Sequence, residues 1–140
     1  MDPFLKLQKS LRSTKHSLTT PRRAVFEALR GQEPLTIHQL VARCPNIDRA
    51  TVYRVVALFE RLGIVQRLQT GWKYRLELTG EFHEHHHHAT CLRCGSAINL
   101  PEDAALEARL YALAKRHHFR IERHQIEVQG FCDSCSAVRT

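Results

Sequence analysis

The sequence predicts an α+β fold in two parts. Helical patterns dominate the first half of the 140 residues and give way to two short strand patterns, whereas the second half alternates strand, helix and strand. Two Cys-x-x-Cys pairs lie in the second half, and positive charge is concentrated in the first half. These features indicate a first half that binds a polyanion and a second half that binds metal.

The charge is divided unevenly along the chain. Residues 1–76 contain 14 Lys and Arg against 5 Asp and Glu, for a net charge of +9, whereas residues 77–140 contain 7 against 9, for a net charge of −2. The second part also contains eight of the ten histidines. A basic surplus of this kind is typical of proteins that contact nucleic-acid phosphates, so we expect nucleic acid as the partner of residues 1–76.

The amino-terminal residues predict no secretion and no membrane contact. They lack an apolar run followed by a cleavage site, and no stretch approaches the length of about 18 apolar residues that a membrane helix needs. We therefore expect a cytoplasmic protein. In the cytoplasm, paired cysteines more often bind metal than form disulfides.

Four helices are predicted in the first half. They cover residues 3–12, 20 to about 31, 36–44 and 49–62. Thr20, Thr36 and Asp48 are residue types that cap helix N-termini. Pro45 and Gly63 are expected to end the helices that precede them, because the residue before a proline avoids helical geometry and glycine adopts the conformation that closes a helix.

Two strands are predicted next, Ile64–Gln69 and Trp72–Leu76, joined by a turn at Thr70-Gly71. Helices followed by a two-stranded ribbon have the order of a winged helix-turn-helix domain, whose last helix enters the DNA major groove. The exposed side of that helix and two basic residues before it are the candidate DNA contacts, and the alternative is a solvated surface. The candidates are Lys15, Arg22, Arg49, Thr51, Tyr53 and Arg54.

The densest cluster of metal-binding residue types is the segment 84–95, which holds four histidines and two cysteines. Cys91 and Cys94 form one thiol pair, and Cys132 and Cys135 form another. Four thiolates complete the tetrahedral shell of a structural zinc ion, and each pair has the spacing that such sites use. The alternatives are two disulfides or buried free thiols.

The histidines need a separate explanation, because four thiolates already fill one zinc shell. If residues 85–91 form a strand, side chains alternate between its faces. His85 and His87 then point to one side, and His86 and His88 point to the other. One strand would supply two sites, although a solvated polar strand is the alternative.

Three more elements are predicted in the second half. A strand covers residues 97–100, and a helix begins at Pro101 and ends near His117. Residues 119–129 alternate without a clean apolar face, which predicts a strand that a partner chain buries in part. The second thiol pair follows.

Three motifs are similar to those of the ferric uptake regulator (Fur) family of bacterial metal-responsive repressors. They are Ala50-Thr51-Val52-Tyr53-Arg54, His85-His86-His87-His88-x-x-Cys91-x-x-Cys94-Gly95 and Gly130-x-Cys132-x-x-Cys135. The resemblance covers roughly residues 13–136. It implies a homodimer with a winged-helix DNA-binding domain (1–76), a hinge (77–84) and an α/β metal-binding dimerisation domain (85–140), which binds double-stranded DNA at a palindromic operator.

The resemblance also implies three metal sites. Cys91, Cys94, Cys132 and Cys135 match the structural zinc ligands. His85, His87, Glu107 and His124 match an additional site inside the dimerisation domain. Glu77, His86 and His88 match the sensing site at the hinge.

The sensing site departs from the family pattern in ways that affect the choice of metal. Pro34 stands where iron and peroxide sensors usually have a histidine, Glu77 where zinc sensors often have a cysteine, and Gln66 where they have an aspartate. We expect Zn²⁺ or Fe²⁺ as the regulatory metal and favour zinc slightly, because the iron-type histidine is missing and the site is rich in imidazole.

Three other functions compete with metal-dependent repression. One is peroxide sensing within the same family, and another is a zinc-stapled protein that binds a partner. The third is a zinc hydrolase, because residues 83–87 match His-Glu-x-x-His. That motif needs a helix, whereas its flanks here favour a strand, so we expect no enzymatic activity.

Overall fold

The computed structural model describes residues 2–31, 33–70 and 72–137. The chain divides into two compact units, Met1–Glu84 and His85–Thr140. The first is called the helical unit below and the second the histidine unit.

The helical unit begins with four helices. They are α1 (Pro3–Ser13), α2 (Thr20–Leu29), α3 (Ile37–Ala42) and α4 (Arg49–Arg61). The side chain of Thr19, and not that of Thr20 as predicted, caps α2 by accepting the Arg22 N–H. Thr36 and Gln39 form a reciprocal capping box at the start of α3. Each cap satisfies N–H groups that lack partners within the helix.

An antiparallel ribbon of β1 (Val65–Thr70) and β2 (Lys73–Leu78) follows α4. Gly63 adopts a positive φ of 72°, which lets the chain reverse between α4 and β1. The predicted turn at Thr70-Gly71 includes Gly71, which is outside the described residues. Leu35 extends the ribbon by exchanging backbone hydrogen bonds with Leu76 at 2.9 and 2.7 Å.

The helical unit is built around an apolar core. Its largest fully buried side chains include Phe26 and Phe59, and Phe26 packs against Phe4 and Phe82 with ring centroids 5.4 and 5.5 Å apart. Burying a side chain of this kind contributes roughly 1.5–3 kcal/mol. The core holds α4 by its apolar stripe and leaves the opposite side of that helix exposed.

The histidine unit contains a three-stranded sheet and two helices. Its elements are β3 (His86–Cys91), β4 (Ala97–Pro101), α5 (Ala104–Arg116), β5 (Glu127–Gly130) and α6 (Asp133–Ser136). The strand order is β4-β3-β5, with β3 antiparallel to β4 and parallel to β5. The central strand β3 therefore has neighbours on both edges.

Two predictions for this unit were wrong. Pro101 ends β4, and α5 begins at Ala104, where the Asp103 side chain accepts the Leu106 N–H. The strand predicted over 119–129 covers only Glu127–Gly130. Residues 119–126 are irregular, and Ile126 gives its backbone groups to histidines of β3: its N–H donates to His87 Nδ1, and its carbonyl accepts the His88 N–H.

The interior of the histidine unit is mostly polar. Within residues 85–137 the buried side chains are those of His87, His88, Glu107, Cys91 and Ala97. The apolar cluster that forms the core of the protein ends at Phe82. No helix in the described part of the chain is long and apolar enough to cross a membrane.

Candidate metal centres and nucleic-acid interface

The four predicted zinc ligands come together at one end of the sheet. Cys91 ends β3, Cys94 lies in the turn that follows, and Cys132 and Cys135 flank the start of α6. All four sulfurs lie within 4.8 Å of one another, and the Cys94 and Cys132 sulfurs are 3.8 Å apart. A zinc ion with four Zn–S bonds of about 2.3 Å separates its sulfurs by about 3.8 Å. The thiol positions therefore fit a tetrahedral zinc ion.

The thiols have strongly divergent acidities. Hydrogen bonds from the backbone N–H groups of Cys94 and Cys132 lower the pKa of Cys91 to about 6, and the Ser96 hydroxyl lowers the pKa of Cys94. The pKa of Cys135 is raised to about 12, mainly by the hydrogen bond between Cys135 and Cys132 and secondly by burial of the thiol. Adjacent thiols cannot all ionise without a compensating cation, which is the charge environment that a divalent metal resolves. All five cysteines are described, and all are free thiols.

The additional site predicted from the resemblance is also assembled, and we call it the four-ligand site. It consists of His85, His87, Glu107 and His124, whose ligand atoms lie within 4.8 Å of one another. His85 Nε2 lies 3.2 Å from both Glu107 Oε1 and His124 Nε2. Ligands at about 2.0–2.2 Å from a tetrahedral metal are separated by about 3.3 Å, so this donor set fits a divalent cation.

Hydrogen bonds orient the side chains of the four-ligand site. The Ile126 N–H donates to His87 Nδ1 at 3.2 Å, which places the proton of the neutral ring on Nε2, facing Glu107. Burial alone would raise the pKa of the Glu107 carboxyl. The hydrogen bond from His87 and the nearby His124 and His85 outweigh burial, and the net pKa is lowered. The carboxylate is therefore kept in the charged form that binds metal.

His86 and His88 form a separate pair on the other face of β3, which we call the paired-histidine site. Their Nε2 atoms are 3.1 Å apart, and His88 is almost fully buried. The Nδ1 atom of His88 lies 3.3 Å from the amide nitrogen of Gln125. The alternation predicted for this strand places neighbouring histidines in two different clusters.

Glu77, the third predicted sensing ligand, belongs to the helical unit. It lies in β2 opposite Gln66 and is buried. The Gln66 amide donates to Glu77 Oε1 at 2.6 Å. A buried carboxylate is costly unless it is paired, so the predicted ligand is already held in a fixed position by the ribbon.

The exposed side of α4 carries the four predicted DNA contacts of that helix. Thr51 donates its hydroxyl to Asp48 at 2.6 Å and accepts from Arg54 at 3.3 Å. Arg49 donates to the Tyr53 hydroxyl at 3.3 Å. These contacts hold two guanidinium groups and a phenol along one face, an arrangement suited to phosphates and base edges in a groove.

The two predicted contacts outside α4 have different environments. Lys15 is exposed just beyond α1, where its φ of 63° is unusual for a residue other than glycine. Arg22 is half-buried and donates to the Ser17 carbonyl at 2.7 Å. Lys15 is therefore exposed for a phosphate contact, whereas the guanidinium of Arg22 also supports the loop before α2.

One ion pair near the proposed interface was missed by the sequence reasoning. Arg67 of β1 donates two hydrogen bonds to the Glu60 carboxylate of α4, at 2.7 and 3.0 Å, and its guanidinium lies 4.2 Å from the Tyr74 ring centroid. These contacts tie the ribbon to the end of α4. A spacing of seven residues across a turn gave no signal for the pair.

The sequence profile described as the Ferric uptake regulator family matches residues 13–129. The chain belongs to this family.

Individual proteins agree with the profile. The Ferric uptake regulation protein of Escherichia coli (strain K12) is 35% identical over 132 residues, which cover 88% of this chain and 86% of that protein. The crystal structure of the Vibrio cholerae ferric uptake regulator (Fur) matches with a TM-score of 0.68 at 29% identity, over 90% of this chain and 99% of that one. The Helicobacter pylori regulator Fur has a TM-score of 0.76 over 99% of this chain and 94% of that one, but at 22% identity it supports the fold alone.

Membership in the Fur family settles the coarse function. The protein is a metal-responsive transcriptional regulator of the repressor class and not an enzyme. The predicted fold class is confirmed, with a winged-helix part, an α/β part and a four-cysteine cluster consistent with zinc. Residues 83–87 are not helical, so the His-Glu-x-x-His match does not form a hydrolase site.

Proposed function

We propose that this Fur-family protein is a homodimeric, metal-dependent repressor that binds a palindromic operator and controls metal-homeostasis genes. The observation that carries the proposal is the arrangement of β3. One face of this strand contributes to the four-ligand site, the other face holds the paired-histidine site, and its last residue is Cys91 of the thiol cluster. A single strand thus joins every proposed metal centre.

The proposed structural metal is Zn²⁺ at Cys91, Cys94, Cys132 and Cys135. Zinc suits the site because it prefers thiolates, has no redox chemistry and accepts four tetrahedral ligands. The four cysteines connect the end of β3 to the start of α6. We expect this connection to hold the carboxyl-terminal segment in place.

The proposed sensing site is formed by His86 and His88 together with Glu77 of the helical unit. Two imidazoles leave coordination positions open, and a carboxylate supplies a ligand that zinc and ferrous iron both accept. Metal held by ligands from both units favours one arrangement of those units. If the operator favours the same arrangement, metal and DNA each increase the affinity for the other.

Two lines of support point to different regulatory metals. The Escherichia coli relative is named for ferric uptake, which supports Fe²⁺. The imidazole-rich site and Pro34, in place of the histidine that iron sensors usually have, support Zn²⁺. Imidazole and carboxylate ligands alone do not choose between the two metals, so the proposal includes both.

The exposed apolar side chains of the histidine unit support the homodimer. Eight large apolar side chains in residues 92–131 are exposed: Leu92, Ile98, Leu106, Tyr111, Leu113, Phe119, Val128 and Phe131. Exposed apolar side chains that form a contiguous patch are typical of protein interfaces. A second copy of the chain would cover them and place two α4 helices on two half-sites of a palindrome.

The proposed DNA contacts divide by role. Arg54 and Tyr53 lie on the exposed face of α4, where side chains reach base edges, and Arg49 and Thr51 lie in its first turn. Lys15 and Arg22 are assigned to phosphates, which set affinity and salt dependence without reading sequence.

The deciding experiment measures duplex binding at fixed salt with added Zn²⁺, with anaerobic Fe²⁺ and with chelator. The duplex carries the operator upstream of a metal-uptake gene, and anisotropy of a labelled duplex gives the affinity. We expect binding that depends on one of the two metals. Equal binding with metal and with chelator would contradict the proposal, and an oxidised histidine ligand found by mass spectrometry after iron loading would indicate peroxide sensing instead.

Two variants test the residue roles. His88→Ala should abolish the metal response and preserve the fold, whereas His117→Ala, an exposed histidine after α5, should leave the response intact. Arg54→Ala should weaken operator binding by about 1–3 kcal/mol. Arg116→Ala, an exposed arginine in the last turn of α5, is its control. A metal response that survives His88→Ala would remove this residue from the sensing site.

A further inference from the structure

We propose that Gln125 is a positioning residue that couples the metal affinities of the four-ligand site and the paired-histidine site. The inference rests on the proposed function, because that proposal assigns metal to both sites. It adds a residue outside both ligand sets and a route by which one site influences the other.

Three consecutive residues contact both sites. His124 contributes its Nε2 to the four-ligand site. The amide nitrogen of Gln125, the next residue, lies 3.3 Å from Nδ1 of His88. Ile126 then bonds to both faces, since its N–H donates to His87 Nδ1 at 3.2 Å and its carbonyl accepts the His88 N–H at 3.1 Å.

The donor atoms fit the metals that the inference requires. His85 Nε2 lies 3.2 Å from Glu107 Oε1 and from His124 Nε2, and the two Nε2 atoms of the paired-histidine site are 3.1 Å apart, as neighbouring ligands of one cation are. Gln125 is not within either set. It contacts His88 through Nδ1, the ring nitrogen that faces away from the paired Nε2 atoms.

The coupling follows from the irregular backbone of residues 119–126. A segment without a strand ladder is fixed mainly by its few specific contacts, so its order depends on them. Metal at the four-ligand site would hold His124 and thereby restrict its neighbour Gln125. The Gln125 amide would then already be ordered when the paired-histidine site binds metal. Binding there would lose less conformational entropy and would therefore be tighter.

Gln125 also matches the proton chemistry of His88. Its amide N–H donates to Nδ1, and the same amide nitrogen lies 3.3 Å from Glu127 Oε1. When Nε2 of a neutral histidine binds metal, the ring proton is on Nδ1. If the Gln125 amide rotates by a half-turn, its oxygen accepts that proton. An acceptor at Nδ1 orients an imidazole that binds metal and raises the basicity of the imidazole.

A thermodynamic cycle tests the coupling. Zn²⁺ is titrated into the full-length, zinc-stapled protein against a competing chelator, and the ¹⁵N resonances of the His88 ring report occupancy of the paired-histidine site. Four proteins are compared: wild type, Gln125→Ala, Glu107→Gln and the double variant. Glu107→Gln weakens the four-ligand site by changing a ligand on α5, whose carboxylate contacts His87 and His124. His85→Ala repeats the cycle with a second way of weakening that site.

Each single variant should weaken zinc binding at the paired-histidine site by about tenfold, and the double variant should lose no more than either single one. Gln125→Glu, which keeps an acceptor for the Nδ1 proton, should bind as tightly as wild type. Gln129→Ala, an exposed glutamine on β5, should also match wild type.

Three results would overturn the inference. They are a loss of about a hundredfold in the double variant, which marks independent effects, wild-type affinity in Gln125→Ala, and wild-type affinity when the four-ligand site is weakened. The titration contains no DNA. A wild-type protein whose operator binding ignores metal would therefore contradict the proposed function alone, whereas an additive cycle in a metal-dependent repressor would contradict only the coupling.

Discussion

The two units of this protein bury opposite kinds of side chain. The helical unit has an apolar core that includes Phe26, Phe59 and Leu76. Within residues 85–137, the buried positions are occupied mainly by proposed metal ligands such as His87, His88 and Glu107. Apolar burial stabilises a fold without any ligand, whereas buried polar groups stabilise it only when they are satisfied.

This contrast explains how stability and regulation are divided. A unit whose interior is made of ligands becomes more ordered as metal binds, because metal binding and folding share one free energy. A unit with its own apolar core can present α4 in a fixed form whether metal is present or not. The unit proposed to hold most of the metal ligands is therefore the one whose order can change with metal, and the unit proposed to read DNA keeps its own core.

The largest expected effect comes from removing one thiolate. Cys91→Ser should release the structural zinc and unfold the histidine unit, because the remaining thiols cannot complete the tetrahedral shell. Amide hydrogen exchange should then show residues 86–137 unprotected while residues 2–84 keep their protection. Zinc content measured by atomic absorption should fall by at least one ion per chain.

Cys44→Ala is the matched control for that experiment. Cys44 is buried in the apolar core, and burial raises the pKa of its thiol. Its replacement should leave zinc content and protection of residues 86–137 unchanged. Loss of protection throughout both units in Cys91→Ser would show that the helical unit also depends on zinc, and the contrast would fail.

The second prediction concerns the stability of the helical unit, which should not depend on metal. Phe59→Ala should destabilise the helical unit by about 3–5 kcal/mol, because it removes a fully buried ring from the core. Chelator should not change this loss, as measured by denaturant-dependent hydrogen exchange of residues 2–84. Tyr53→Ala removes an exposed ring from the same helix and should cost about 1 kcal/mol or less. Similar losses in the two variants would mean that the core does not hold α4.

Local patterns predicted the elements that form from their own residues. The four helices of the first unit follow from cap residues and from apolar spacing, and β3 follows from its two-residue alternation. The period of the strand also separated His85 and His87 from His86 and His88, which is the main feature of the candidate sites. These signals are short-range, so sequence reasoning could use them.

The features that sequence did not predict depend on contacts between distant residues. Residues 119–126 alternate like a strand but form none, and Ile126 at their end donates its N–H to the His87 side chain while its carbonyl accepts the backbone N–H of His88. Gln125 and Arg67 have no motif, since their partners are fixed only when the chain is folded. The sequence therefore contained no signal for Gln125 and Arg67, whereas it did predict the candidate ligands.

The third prediction concerns the attachment of the ribbon to α4. Arg67→Ala should lower the free energy of unfolding of the helical unit by about 1 kcal/mol, since it removes an exposed ion pair and a cation–π contact. The hydrogen bonds that Arg67 donates to the Glu60 carboxylate raise the pKa of Arg67, which agrees with a paired guanidinium. Arg67→Lys keeps the charge but not the bidentate hydrogen bond, and it should lower the free energy of unfolding by about half as much. A loss that survives 1 M salt unchanged, where screening shortens to about 3 Å, would argue against the ion pair.

The smallest effect is expected at the start of α4. The Thr51 hydroxyl and then the Thr51 N–H donate to Asp48 and lower the pKa of its carboxyl below the ordinary 3.8. Because the pKa in the folded state is the lower one, the ionised cap stabilises the fold above about pH 3.8, and this stabilisation is lost as the pH falls through the folded-state pKa. Asp48→Ala should therefore increase amide exchange in the first turn of α4 at pH 7, and its difference from wild type should shrink as the pH falls below 3.8. Asp48→Asn caps without a charge and should show no such pH dependence, so an equal pH dependence in both variants would place the titrating group elsewhere.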